Sequence, residues 1–501
     1  MNNGKICISV CAETADEMIA KIKRADELAD VIEVRFDSLG KDDLRKVIGS
    51  LPRIGATYLF TFRPKQQGGK REIALSERLK FWEMIFNGDT KKFIVDIEAD
   101  PNITTAVTTN QIPRIISYHN FDGLILNTDF DAIKLLDAKI YKFAGTARDA
   151  TDAIPVWTFI AKAAVAEKEI IPIAMGEAGK WTRILGLAHG AYMTYASLDE
   201  GEETADGQIT AKDLIEVYRV RELDRDTAVF GVIGDPVSSS KSTYMHNAAF
   251  AANGINAVFL PLLVKNLDEF IRRMVRPSTR EVELNFAGFS VTMPHKQTII
   301  KHLDEIDGVA AKIGAVNTVK IEDGKLIGYN TDAHGFITPL KTKFGDLKNA
   351  RVAVFGAGGA ARACVYALVE EGAEVTVFAR DLQRANSFAD EFNVKVAQLT
   401  TDHRPLTTDI VVNATPLGMK GAFENESPLT AEQLEGVRFV YDLVTRADDT
   451  PLVREANKAG IPAISGLEML IEQGVKQSEI WTGRDAPVQT MWQSVTARLA
   501  K

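Results

Sequence analysis

One lysine stands where a lysine is costly. Lys142 lies within the apolar, strand-like run Ile140-Tyr-Lys-Phe-Ala144. Burial and nearby cations lower the pKa of such an amine, and a neutral amine can attack a carbonyl carbon. His119 closes a neighbouring run and has the intrinsic pKa to move protons near neutrality. Glu33, Arg35, Arg63 and Glu98 close other runs of the same kind. Taken singly, these residues also suit a lysine reaching solvent and a packed histidine. Their shared placement at run ends favours chemistry. A second set lies far along the chain, in Arg351-Val-Ala-Val-Phe-Gly356-Ala357-Gly358-Gly359-Ala360-Ala361. Such a glycine turn lets the backbone approach a pyrophosphate at a helix N-terminus, where N–H groups and the dipole favour anions. A tight strand–helix turn that binds nothing has the same pattern.

The elements that must position the first set are short and regular. β-rich runs occur at Ile6–Val10, Val31–Asp37, Tyr58–Arg63, Phe93–Glu98, Arg114–His119, Ile140–Ala144, Ile170–Met175 and Tyr192–Leu198. Amphipathic segments such as Ala15–Ala29, Leu75–Phe86 and Ala150–Ala166 separate them. About eight strand–helix alternations predict a (β/α)8 barrel, whose strand ends gather at one face. Alternation alone also fits an open doubly wound sheet.

Residues 5–220 resemble the type I 3-dehydroquinate dehydratases. The resemblance rests on Glu33-Val-Arg35-Phe-Asp37, Phe60-Thr-Phe-Arg63 with Gly68-Gly69, Ser117-Tyr-His119 and Lys142. It continues through Ala174-Met175-Gly176, Thr182-Arg183 and Thr204 with Gly207-Gln208. It implies a Schiff base between Lys142 and the ketone of 3-dehydroquinate, with His119 moving the protons. Arg183 would hold the ring carboxylate, and Glu33, Arg35 and Arg63 would bind ring hydroxyls. Thr204 and Gln208 would close over the substrate, and Met175 would form part of an apolar wall. Two departures stand out: Gln67 where the family often has Glu, and Thr204-Ala-Asp-Gly207 where it often has Ser-Ala-Pro-Gly.

The glycine turn leads into a helix-like stretch, Ala360–Glu371, and a second strand, Glu374–Ala379. That context favours dinucleotide binding. Arg380 and Arg384 follow the second strand where an NAD binder places an acid, so a 2′-phosphate, and hence NADP, is expected there. Asp381 beside them would oppose that phosphate.

Residues 229–501 resemble the shikimate dehydrogenases. The pieces are Gly234-Asp-Pro with Ser240-Lys-Ser242 and His246-Asn247, Ser290-Val-Thr292-Met-Pro-His-Lys296 and Gly314-Ala-Val-Asn317. Gly328-Tyr-Asn-Thr-Asp332, the glycine turn, Asn413-Ala-Thr415-Pro, and Gly466-Leu-Glu-Met-Leu with Gln473 complete the set. The resemblance implies Lys296 and Asp332 as the catalytic pair for reduction of a ring ketone. Ser240 and Ser242 would bind the ring carboxylate, and Thr292, Asn317 and Gln473 the hydroxyls. Gly356, Ala357, Gly358, Gly359, Ala360 and Thr415 would hold the cofactor. Thr243, Ala379-Arg380-Asp381 and Thr445 depart from the family's usual Pro, Asn-Arg-Thr and Tyr.

Length and composition set the frame. The 501 residues allow about three domains. We expect a dehydratase barrel over 1–220 and a charged linker over 219–228. A substrate-binding domain would span 229–335, with 467–501 returning to it, and a Rossmann nucleotide domain 336–466. Lys plus Arg number 59 and Asp plus Glu 68, a net charge of −9, which excludes a general nucleic-acid binder. No apolar run reaches the length of a membrane span. Cys7, Cys11 and Cys364 read as packing thiols, and no metal site is expected. The N-terminus runs directly into a strand, so a cytoplasmic protein is expected. Together the halves predict a monomeric enzyme that dehydrates 3-dehydroquinate to 3-dehydroshikimate and reduces that to shikimate with NADPH. A quinate-reactive second half is the alternative within the class. A metabolite-sensing regulator is the alternative outside it, and the retained Lys142, His119, Lys296 and Asp332 speak against it.

Overall fold

The computed structural model describes residues 2–86, 93–106, 112–238, 240–399 and 407–500, without the side chains of 105, 106, 384 and 387. The chain forms two compact units, Met1–Ala228 with Asn256–Asn285, and Val229–Ile255 with Phe286–Lys501.

The first unit is built on strands β1 (Lys5–Val10), β2 (Val31–Arg35), β3 (Thr57–Thr61), β4 (Phe93–Glu98), β5 (Arg114–Asn120), β6 (Ile140–Thr146), β7 (Glu169–Met175) and β8 (Met193–Ser197). A short β9 (Ile209–Thr210) adds to β8. The pairing is parallel in the order β7-β6-β5-β4-β3-β2-β1-β8-β9. The sheet curls into a (β/α)8 barrel, and Tyr192 N–H donates to Ile170 O at 2.8 Å where its two ends meet.

Period-two alternation decides what faces the interior. Ile140, Lys142 and Ala144 of β6 face inward, whereas Phe143 turns outward onto Phe159, edge-on with ring centroids 5.0 Å apart. The inward positions form layers. At the base lies an apolar plug that includes Val31, Leu59, Ile94, Ile115, Ile140 and Met193. One step toward the C-terminal ends stand Glu33, Thr61, Asp96, Ser117 and Lys142, all buried. The plug lies beneath this polar layer, so its partners come from the layer itself and from the strand ends above it, such as Arg63 on Asp96.

The predicted linker is not a free tether. Val220 and Leu223 are buried, and the Asn2 side chain donates to both of their carbonyls, at 2.8 and 2.9 Å. Within the same unit, Asp149 accepts from the backbone N–H groups of Lys265 and Asn266, at 2.7 and 3.2 Å. The strand that follows the linker is β10 (Ala228–Gly234), and β11 (Ala257–Leu263) lies in the returning segment.

The second unit holds two sheets. In one, β10 pairs in parallel with β12 (Gly288–Val291), which pairs antiparallel with β14 (Thr318–Glu322). β15 (Lys325–Tyr329) pairs antiparallel with β14 and parallel with β13 (Glu305–Ile306). The other sheet is doubly wound. It holds β16 (Arg351–Phe355), β17 (Glu374–Ala379), β18 (Lys395–Gln398), β19 (Ile410–Asn413), β20 (Phe439–Asp442) and β21 (Ala463–Ile464), all parallel. Its order, β18-β17-β16-β19-β20-β21, has its switch point between β16 and β19, where nucleotides bind such sheets. Two helices, Asp332–Phe344 and Gly466–Thr482, pack closely where a Cβ on Gly335 would come within 2.7 Å of the Gln473 Cβ. No helix among the described residues is long and apolar enough to cross a membrane.

Candidate active sites

Every residue predicted for the barrel site lines one cavity at the C-terminal ends of the strands. Lys142 Nζ sits 3.3 Å from Asp96 Oδ2 and 3.9 Å from the centre of the Tyr195 ring. Burial lowers its pKa, Asp96 offsets part of that, and Arg63 adds to it. Arg63 is held at 2.6 Å by the same Asp96 oxygen and lies 2.9 Å from His119 Nε2. A guanidinium only donates, so Nε2 must be the acceptor and Nδ1 carries the hydrogen. Burial first, then Arg63 and Lys142, holds His119 well below its usual pKa, so the ring is neutral. Burial alone would raise the pKa of Asp96. The two cations beside it win and hold its carboxyl well below the usual range.

Other groups in the cavity are already engaged. Glu33 accepts from the hydroxyls of Ser9 and Thr61. Arg35 grips Asp37 through two bonds of 2.9 Å and donates to Gly68 O at 3.0 Å. Gln208 Oε1 accepts from Thr204 N–H at 2.7 Å, and Gly176 N–H donates to Asp206 O at 3.1 Å, which holds the 204–208 loop against the Met175–Gly176 turn.

Arg183 differs from the other cations. It is buried, and among the described residues the only hydrogen bonds of its guanidinium are long ones to the carbonyls of Tyr195 and Asp206, at 3.4 and 3.5 Å. No carboxylate pairs with it among the described residues, and burial draws its pKa down to about 10. A buried guanidinium in a pocket without a counter-ion suits an anionic ligand.

In the second unit, Lys296 Nζ meets Asp332 Oδ2 at 2.5 Å. Asn317 Nδ2 donates to Asp332 Oδ1 at 2.8 Å and to Gln473 Oε1 at 3.4 Å. Asp332 is the first residue of its helix, but Asn330 Oδ1 accepts from the Asp332 N–H, which leaves the Asp332 carboxylate to face Lys296. The predicted Lys296, Asp332, Asn317 and Gln473 thus form one hydrogen-bonded group. Ser240 and Ser242 stand at the start of the helix Ser242–Ala252, and Thr292 follows β12. No hydrogen bond joins these three to that group among the described residues.

The nucleotide side follows from β16. Gly356 has φ +117°, and a Cβ there would meet Ala414 O at 2.7 Å, so only glycine fits this turn. The helix Gly359–Glu370 begins at Gly358 with no side-chain cap, leaving its first N–H groups open to an anion. Ala357 and Ala360 flank these groups. Arg380 is exposed at the end of β17 and makes no ion pair among the described residues. The Arg384 side chain lies outside the described residues. Thr415 Oγ1 is committed to its own loop, donating to Asn413 Oδ1 at 2.6 Å and accepting from Leu417 N–H at 3.2 Å. These donors fit a dinucleotide phosphate.

Behind that loop lies Asp442, fully buried, which accepts from Asn413 Nδ2, Val444 N–H and Thr450 Oγ1. Burial pushes its pKa up to about 6. Between the unfolded value of about 3.9 and that folded value, the native state holds the extra proton, so stability falls as pH rises. Asp442→Asn can keep all three hydrogen bonds without a charge. At pH 8 it is expected to be more stable than the parent by about 1–3 kcal/mol, and at pH 4 equal to it. Thermal unfolding across that range would show a constant difference if Asp442 did not titrate there.

Sequence reasoning missed Asp96 and Tyr195. Asp96 had a signal, a carboxylate in the middle of the apolar run Phe93–Glu98; Tyr195 looks like any strand tyrosine.

A barrel with a buried, pKa-lowered lysine, joined to a doubly wound unit with a Lys–Asp pair, defines a chain with two enzyme sites, one for carbonyl condensation and one for nucleotide-dependent redox chemistry. The chain belongs to the bifunctional 3-dehydroquinate dehydratase/shikimate dehydrogenase family. Residues 6–225 match type I 3-dehydroquinase, and 232–319 match the shikimate dehydrogenase substrate binding domain. Residues 339–429 match shikimate/quinate 5-dehydrogenase, and 466–496 match the shikimate 5′-dehydrogenase C-terminal domain. The chloroplastic bifunctional 3-dehydroquinate dehydratase/shikimate dehydrogenase of Arabidopsis thaliana is 35% identical over 521 residues, covering 98% of this chain and 84% of that one. Shikimate dehydrogenase (NADP(+)) of Methanocaldococcus jannaschii is 38% identical, covering 56% of this chain and all of its own length. A crystal structure of a shikimate dehydrogenase in complex with NADP+ superposes with a TM-score of 0.51 at 38% identity. That match covers 56% of this chain and 98% of the other.

Proposed function

We propose that this chain catalyses two successive reactions: dehydration of 3-dehydroquinate to 3-dehydroshikimate in the barrel, and NADPH-dependent reduction of 3-dehydroshikimate to shikimate in the second unit. The observation that carries the reading is the pairing, within one cavity, of the pKa-lowered Lys142 with the carboxylate-free Arg183. A keto acid needs both, an amine for its ketone and a cation for its carboxylate.

In the barrel, Arg183 binds the ring carboxylate and Lys142 Nζ adds to the ketone carbon, losing water to form the iminium. The iminium withdraws electrons, so the neighbouring C–H becomes acidic, and neutral His119 takes that proton. The imidazolium then protonates the departing hydroxyl, which leaves as water. Hydrolysis of the iminium releases the product and restores the amine. Glu33, Arg35 and Arg63 orient the ring. Met175 walls it, and Thr204 and Gln208 cover it.

In the second unit, NADPH supplies the hydride when bound. Lys296 donates a proton to the ketone oxygen or stabilises the charge that develops on it, and Asp332 holds the ammonium in place. Ser240 and Ser242 bind the carboxylate, and Thr292, Asn317 and Gln473 bind hydroxyls. Gly356, Ala357, Gly358, Gly359 and Ala360 cradle the phosphates, Arg380 and Arg384 meet the 2′-phosphate, and Thr415 shapes the adjoining loop. The proposed division is 1–220 for the dehydratase barrel, 229–335 with 467–501 for substrate binding, and 336–466 for NADP. The chain works as a monomer in the cytoplasm, a setting that suits its three free cysteines.

A coupled assay tests the reading. 3-Dehydroquinate and NADPH alone should yield shikimate, with one NADPH oxidised per product. NADPH loss from added 3-dehydroshikimate but not from 3-dehydroquinate would remove the barrel's part. Faster turnover of quinate than shikimate would reassign the second unit.

A further inference from the structure

Arg362 belongs to none of the roles above, yet it is a charged residue buried in the second unit. It lies on the first turn of the helix Gly359–Glu370, its own N–H bonded to Gly358 O at 3.0 Å. Its Nε donates to Ile313 O at 2.6 Å, and a terminal nitrogen pairs with Glu391. The guanidinium lies 5.3 Å from the ring centres of both Phe388 and Phe392. Ile313 ends the helix Gly308–Ile313, so the bond satisfies one of that helix's unpaired carbonyls with a cation at the favourable end. Gly314, which follows, has φ +68°, and a Cβ there would come within 2.8 Å of the guanidinium.

What lies beyond Ile313 gives the contact its meaning. Ala315 O accepts from Asn330 Nδ2 at 2.9 Å, and Val316 N–H donates to Lys296 O at 2.7 Å. Asn317 then bonds the Asp332 carboxylate. Within four residues the segment gripped by Arg362 touches the supports of both Lys296 and Asp332. On the same first turn, Gly359 abuts the Lys296 side chain, with a Cβ there 3.3 Å from Cδ. The helix start that offers N–H groups to a phosphate is therefore tied by one side chain to the loop that holds the Lys–Asp pair.

We propose that Arg362 is a positioning residue that fixes the glycine-turn helix against the 313–317 loop, so that the phosphate seat and the Lys296–Asp332 pair keep one geometry. The inference rests on the NADPH-dependent reading of this unit. A lysine at 362 keeps the charge but has one nitrogen in place of the rigid fork whose Nε and terminal nitrogen meet Ile313 and Glu391 separately.

The test measures Arg362→Lys and, from the opposite side, Gly314→Ala, in the full chain. With 3-dehydroshikimate, kcat should fall roughly 30- to 100-fold, the scale of a small misplacement of reacting groups. Binding of NADPH, followed by its fluorescence, should weaken by no more than about threefold, because the phosphate donors are untouched. The pH profile of kcat should shift as the Lys–Asp spacing relaxes. NADPH binding and circular dichroism report intact folding of the second unit, and dehydratase activity in the same molecules that of the first. Retention of kcat with only a lowered unfolding temperature would overturn the proposal, as would a loss confined to NADPH affinity. Loss of dehydratase activity with misfolding in both variants would overturn it too, by making Arg362 a plain stability residue. Failure of the parent protein to oxidise NADPH would instead count against the reading of the unit.

Discussion

Lys142→Met should lower the dehydratase rate by roughly 10³-fold or more, the scale seen when a reacting group is removed. The substitution keeps the unbranched side chain to within one atom and removes the nucleophile. It should not unfold the barrel, because Asp96 retains Arg63 at 2.6 Å. Borohydride added with 3-dehydroquinate should leave a covalent adduct on Lys142 of the parent, found by peptide mass, and none on the variant. Reduction of 3-dehydroshikimate should be unchanged in the same molecule. A parent enzyme that dehydrates without ever trapping would defeat the Schiff-base mechanism. The pH profile adds a second check. Burial places the Lys142 pKa below that of a free lysine, so the free-amine limb should lie at lower pH than for an exposed amine.

Asp332→Asn should cost the reductase about 10²- to 10⁴-fold in kcat. The parent carboxylate divides its oxygens, Oδ1 to Asn317 and Oδ2 to Lys296. An amide at this position can accept from Asn317, but its NH₂ then faces the ammonium, two donors with nothing between them. Lys296 loses its anchor while the rest of the pocket keeps its shape. The KM for 3-dehydroshikimate should therefore move far less than kcat. Lys296→Met should match it within about tenfold, since groups that act as a unit are not additive. A variant retaining more than a tenth of the parent kcat would show that the pair does not carry the proton step.

The barrel was largely legible in the sequence because its strands end in charge. Each run of Val, Ile and Phe predicts a buried stave, and Glu33, Arg35, Arg63, His119 and Lys142 betray the end that opens to substrate. Asp96 was harder, since its role as common partner of Arg63 and Lys142 depends on strands adjacent in space, which spacing along the chain does not encode. The Rossmann turn was legible from glycine, for steric reasons visible at Gly356. The linker's charges hide Val220 and Leu223, whose burial comes from distant partners such as Asn2. Nothing in residues 256–285 announces that they pack with the first unit. The choice is made by contacts such as Asp149 with Lys265, which join residues more than a hundred positions apart.

That returning segment changes how the two activities could be separated. The chain leaves the first unit after Ala228, comes back at Asn256 and leaves again after Asn285. A gene cut between 225 and 232, where the two family matches part, would keep each matched stretch whole but remove the packing of 256–285, such as the Lys265 contact with Asp149, from the first unit. The two enzymes are consecutive in the reading frame, so recombination can exchange either as one block of code, and the cost falls on the surface that 256–285 covers.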